Sequence, residues 1–168
     1  LEAQNGLEYL RTHAPIGCRD LSTRDYLREN GVNAYFSGCN TLTLPRRNQN
    51  PECGKIYLVD VLKSWKEHIP AEIMSEAEEV SHICYLKNYP AQREESLSLE
   101  SDAIKLLNMY RDTAKLIITS RIHCAMPCLA MGIPVVFLCT DPDDERFSVL
   151  QHFVHTYTLE EKEIVNWF

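Results

Sequence analysis

The chain has 168 residues, 45% of them hydrophobic and 24% charged, with a formal net charge of −7; that balance fits one ordinary globular domain with a real core. An acidic surplus with scattered lysines and arginines argues against broad nucleic-acid binding, because a polyanion demands a basic patch. No apolar run has membrane-spanning length and there is no secretory-type leader, so a soluble, cytoplasmic protein is the default expectation.

Taken in chain order, short apolar strands alternate with helices, the pattern of an α/β layer fold. Leu7 to Thr12 reads as helix and Ala14 to Cys18 as a short strand. Arg19-Asp20 then leads into a helix from Ser22 to Asn30, closed by Gly31. Asn33 to Phe36 and Lys55 to Val59 are further strands, each followed by polar or small residues: Ser37-Gly38 after one, Asp60 after the other. Helices are expected over Leu62 to Ile69 and Ala71 to Glu79, separated by Pro70, then a strand over Val80 to Leu86 and an amphipathic helix over Leu99 to Thr113. Lys115 to Thr119 reads as a buried strand. After it Ile122, Ala125, Met126, Leu129 and Ala130 repeat at helical spacing up to Gly132 and Pro134, and Pro134 to Leu138 is a second apolar strand. The tail from Arg146 to Phe168 reads as two short helices. The expected architecture is a Rossmann-like, open, mainly parallel sheet with helices on both faces, forming one domain over residues 1–168.

This order places Ser120, Arg121 and His123 at the carboxyl edge of the sheet, the usual ligand site in open parallel sheets, beside the free N–H groups of a helix start. An arginine there points to an anionic ligand. Arg19 occupies a comparable turn, where Asp20, Ser22 and Thr23 are good helix caps; alone it would read as a partner of Asp20 or Asp25, but two such turns favour a shared anion. His123 is either an acid–base group or an anion clamp. Pro127 has no N–H for the carbonyl of His123, so the helix either starts late or leaves that acceptor free. Seven cysteines form no CxxC pair, and their odd number argues against a fully paired disulfide framework. Cys124 and Cys128, one helical turn apart, lack further ligands at zinc-like spacing and read as small buried residues. Asp141, Asp143, Asp144 and Glu145 match no calcium-loop spacing and read as a solvated loop. No metal or cofactor is expected.

The segments PIGCRDLSTRDYLRENGVNAYFSGCNTLTLP (Pro15 to Pro45), IYLVDV (Ile56 to Val61) and ITSRIHCAMPCLAMGIPVVFL (Ile118 to Leu138) closely resemble polysaccharide pyruvyl transferases, and DERFSVLQHF (Asp144 to Phe153) is similar to that family's carboxyl-terminal portion. The resemblance implies one half of a glycosyltransferase-B-like architecture. It also implies transfer of pyruvate from phosphoenolpyruvate to hydroxyls of a sugar or glycan, forming a ketal. It places Arg19 of the GCRD motif, and Arg121 and His123 of the TSRIH motif, at the donor, with His123 and Arg121 as the catalytic pair. Ser120, Ser37 and Gly38 are expected to border the same pocket, as are Thr41 and Thr43, although Ser37-Gly38 reads equally well as a strand end and turn. The chain starts at Leu1, just before GCRD, so the resemblance leads to the expectation of a missing amino-terminal domain and of a piece that can bind donor without turning over. Two alternatives share much of this pattern: a nucleotide-sugar glycosyltransferase and a non-catalytic carbohydrate-assembly domain.

Overall fold

The computed structural model describes residues 2–83, 93–139, 141 and 143–167. Its centre is an open five-stranded sheet in which every pairing is parallel, in the order β4-β3-β5-β6-β7. The strands are β3 (Lys55–Val59), β4 (Ala77–Val80), β5 (Ala114–Thr119), β6 (Val135–Leu138) and β7 (Thr156–Tyr157). Apolar, β-branched runs such as LIIT and VVFL suit strands that are covered on both faces. Ile56 and Leu58 of β3, Leu116 and Ile118 of β5, and Val136 and Leu138 of β6 pack on one side with Trp65, Ile69 and Ile73. Tyr57, Val59, Ile117, Val135 and Phe137 pack on the other with Tyr110 and Cys124 to Met126. Helices therefore lie on both faces: α3 (Lys63–Lys66) and α4 (Ala71–Glu76) on the first, α5 (Arg93–Thr113) and α6 (Ile122–Ala130) on the second. Cys124, Ala125 and Cys128 are fully buried along α6, small side chains that let the helix lie close to the sheet.

The amino-terminal part forms its own small layer. The helices α1 (Glu2–Thr12) and α2 (Leu21–Glu29) accompany a parallel pair, β1 (Ile16–Cys18) and β2 (Ala34–Phe36). Cys18, Leu27, Val32 and Ala34 are its core. Asp20 caps α2 by accepting from the Thr23 N–H at 2.8 Å, as its place before the helix predicts. These two strands are not part of the main sheet, whose open, parallel form with helices on both faces is the architecture expected.

Three expectations are corrected. The helix expected over Leu62 to Ile69 is a single turn, α3. The helix expected to reach Glu79 ends at Glu76, and Ala77–Val80 become β4, paired with Ile56–Val59. The residues AEEV favour helix by local propensity, but pairing with the edge of β3 wins. Glu78 and Glu79 meet Lys55 and Lys66 at 2.5 and 2.7 Å, charges that also discourage foreign strands from adding to this edge. Of the strand expected over Val80 to Leu86, residues 84–86 lie outside the described residues. The tail contains short 3-10 turns instead of two helices, and between them the two-residue β7 extends the sheet beside Phe137 and Leu138.

At the other end of α6, Gly132 has φ +75°, and a Cβ there would lie 2.8 Å from Arg46 Nε. The left-handed backbone costs an ordinary residue about 1–2 kcal/mol, and the flexible arginine end can yield. Gly132→Ala should lower Tm by about 2–8 °C in a thermal melt; an unchanged Tm would contradict this role.

Candidate functional site

The carboxyl ends of β3, β4 and β5 converge on one hydrogen-bonded cluster. Thr119, completely buried as the last residue of β5, donates from Oγ1 to the Val59 carbonyl at 2.8 Å and accepts from the Arg121 N–H at 3.0 Å. The hydroxyl thus joins two strands and sets the turn that starts α6. Ser120 accepts from the Leu62 N–H at 3.3 Å, tying the same turn to the start of α3. The helix runs through Pro127 from Ile122, so the His123 carbonyl lacks the N–H that would otherwise close its turn. Of the two readings left open by the sequence, the helix takes the second.

Arg121 does not stand alone. Its Nε lies 2.5 Å from Asp60 Oδ2, with the arginine side chain 40% and the aspartate 11% exposed. Asp60 follows β3 with φ +44°, a left-handed conformation that aspartate tolerates better than most residues. Its carboxylate also accepts from Ser81 Oγ at 2.7 Å and from the His82 N–H at 2.8 Å. Burial pushes this carboxyl up, but the bonds from Ser81 and His82 and the Arg121 charge outweigh it and hold Asp60 below its ordinary value. His82 continues the network, its Nε2 2.9 Å from the Tyr110 hydroxyl. Burial lowers the pKa of His82, Arg121 reinforces that shift and Asp60 opposes it, so the ring is neutral near pH 7. Burial above all, with nearby Cys124 second, raises the pKa of the Tyr110 phenol and keeps it protonated.

His123 is exposed in the first turn of α6 and shares with His82 a pocket of about 410 Å³, whose lining includes Asn40, Thr41, Leu44 and Leu107. The SGCNTLTL segment therefore reaches the pocket through Asn40 and Thr41. Ser37 instead donates to the Cys18 carbonyl at 3.1 Å and to the Gly38 carbonyl at 3.2 Å, and buried Gly38 takes φ +71°. Both hold the end of β2, and Thr43 donates to the Asn40 carbonyl within its turn. Arg19 is exposed after β1, its charge acting on Asp20; among the described residues no hydrogen bond or ion pair joins it to Arg121 or His123. Ser22, near it in sequence, lies 3.4 Å from Glu145 of the tail.

The residues that sequence reasoning missed are Asp60 in its pairing role, Ser81, His82 and Asn40. Asp60 was visible as a polar residue at a strand end, but its partner lies 61 positions away. Cys124 and Cys128 sit in the apolar core, where the hydrogen bond with Cys124 and then burial push the Cys128 thiol up. No group of three or more metal-ligating side chains occurs among the described residues. Asp144 instead caps the following turn and pairs with Arg146, bonds that draw its carboxyl down to about 2. Among the described residues no helix is long and apolar enough to cross a membrane.

These observations define an open parallel α/β protein whose carboxyl edge carries an arginine–histidine turn at a helix amino terminus. The family model for polysaccharide pyruvyl transferases matches residues 4–142, and the chain belongs to that family. No curated protein and no solved structure matches the chain.

Proposed function

We propose that this chain binds phosphoenolpyruvate and contributes to transfer of its pyruvyl group to two hydroxyls of a sugar or glycan, yielding a ketal and inorganic phosphate. The observation that carries the proposal is the Thr119–His123 turn, which sets Arg121 and His123 at the amino terminus of α6 on the carboxyl edge of a parallel sheet. The donor carries a carboxylate and a phosphate close together, and arginine's planar fork suits either group. Asp60 balances one of these positive charges, so the remaining attraction comes from Arg19, His123 and the α6 dipole. Arg121 is held by its Nε edge and remains 40% exposed, which leaves its outer nitrogens for the donor.

In the proposed sequence His123 gives a proton to the methylene carbon, converting the double bond into a methyl group and a cationic centre at C2. One sugar hydroxyl attacks C2 and loses its proton. The bond from C2 to the phosphate oxygen then breaks, and a second hydroxyl closes the ketal as it too loses a proton. One of those protons restores His123.

Melting of the purified chain with and without phosphoenolpyruvate tests the donor. Ligand at about 100 times its Kd stabilises by about 2.7 kcal/mol, which raises Tm by roughly 5–10 °C in a chain of this size. Arg121→Ala should abolish the rise. A nucleotide sugar run in parallel distinguishes a glycosyltransferase donor site, and a rise with that compound alone would replace this proposal.

A further inference from the structure

We infer that the pocket shared by His82 and His123 seats a neutral sugar ring of the acceptor, separate from the anionic donor held at Arg121. The inference rests on the proposed donor reading and deepens it. It starts from charge. Arg121, two residues from His123, is turned to Asp60 at 2.5 Å, while among the described residues the pocket's lining contains no lysine, arginine, aspartate or glutamate. A trianionic donor placed inside it would be desolvated with no lysine or arginine to face; an uncharged polyol has no such penalty.

The lining also has two kinds of wall. Leu44, Leu107 and Pro127 supply apolar surface for the C–H face of a pyranose, while Asn40, Thr41 and His82 supply hydrogen-bonding groups for its hydroxyls. At about 410 Å³ the pocket lies within the range of roughly 300–1,000 Å³ usual for small-molecule sites. His82 is fixed there through the Tyr110 hydroxyl on Nε2, so Nδ1 is the ring nitrogen left for the ligand. The groups that bear on its charge are Asp60 at its own N–H, Arg121 beyond that carboxylate, and the protonated Tyr110. Burial, opposed by Asp60 and reinforced by Arg121, leaves the imidazole neutral, able to accept from or donate to a hydroxyl without carrying charge into the pocket. His123, lining the same space, borders both ligands, as a group acting at the bond being formed must.

The test is ligand-observed saturation-transfer NMR on the whole chain, with the methyl glycosides of glucose, galactose and mannose as probes, alongside the phosphoenolpyruvate melt. At least one glycoside should show transfer. An Asn40→Ala, Thr41→Val double variant, altered in the pocket lining, should weaken it about fivefold or more while keeping the phosphoenolpyruvate-induced rise in Tm, which also shows that the variant is folded. No transfer with any glycoside overturns the inference. So does transfer that the variant leaves unchanged, displacement of the glycoside by inorganic phosphate, or loss of the melting shift in the variant. Glycoside transfer without any phosphoenolpyruvate shift would count against the donor reading and leave the sugar pocket standing.

Discussion

Asp60→Ala should lower the stability of the chain by about 3 kcal/mol, roughly 6–12 °C in Tm, and should weaken phosphoenolpyruvate binding about tenfold or more. Two costs add. The first is electrostatic: Ser81 Oγ, the His82 N–H and Arg121 Nε all lose their acceptor at once. Removing one partner of a buried pair costs about 3–5 kcal/mol, and the 40% exposure of Arg121 reduces that to about 1–2 kcal/mol. The second is conformational, because alanine at φ +44° costs about 1–2 kcal/mol. Asp60→Gly removes the second cost and Asp60→Asn removes only the charge, so a stability order of Asn, then Gly, then Ala separates them. The weaker binding has a different origin: without Asp60 the Arg121 guanidinium must be ordered by the ligand itself. Acidification gives an independent check. The Asp60 carboxyl titrates below its ordinary value of 3.8, so its contribution is complete above that value and disappears as the pH falls through the lowered one. The stability gap between the wild type and Asp60→Asn should be constant near neutrality and close below pH 3.8. A gap that is absent at pH 7, or that persists in acid, would show that the ion pair carries no weight.

The same cluster shows why part of the site was legible and part was not. Arg121 and His123 lie within one contiguous motif whose flanking strands are continuous apolar runs, so local periodicity alone placed them at the sheet edge. His82 depended on knowing where β4 ends. A strand over Val80 to Leu86 puts His82 in the middle of a strand; with β4 at Ala77–Val80, Ser81 and His82 are the residues that emerge at the carboxyl edge. The three-residue shift was invisible because Ala77, Glu78 and Glu79 continue a helical composition, and what makes them a strand is pairing with β3 and lysines from three other positions: Lys55, Lys66 and, through Glu76, Lys115. β7 was missed for the same reason. Two residues have no periodicity, and Thr156–Tyr157 become a strand only because Phe137 and Leu138 offer an unpaired edge. Ser37 and Gly38 read equally well as ligand-facing polarity and as a strand end and turn; a hydroxyl next to a glycine has nearby carbonyls to satisfy, and those are where Ser37 donates.

His123→Ala should reduce phosphate release from phosphoenolpyruvate in the presence of acceptor by roughly two orders of magnitude or more, the range that a positioned proton donor supplies. The argument turns on which step needs the imidazole. An enol phosphate resists attack at C2 until its methylene carbon is protonated, so a proton donor acts in the transition state and its loss appears in kcat. A clamp that only attracts the anion holds ground state and transition state alike, and its loss appears in KM. His123 is exposed and sits in the first turn of α6, where solvent can return the proton after each turnover. A rate that falls as pH rises, with that limb absent in His123→Gln, is the expected result for the acid. If His123→Ala raises KM and leaves kcat within a factor of about three, the imidazole is an anion clamp and the proton must come from elsewhere. The neutral His82, in the same pocket, cannot supply it without first being charged against the burial that keeps it neutral, so His82→Gln should leave the high-pH limb of the profile in place.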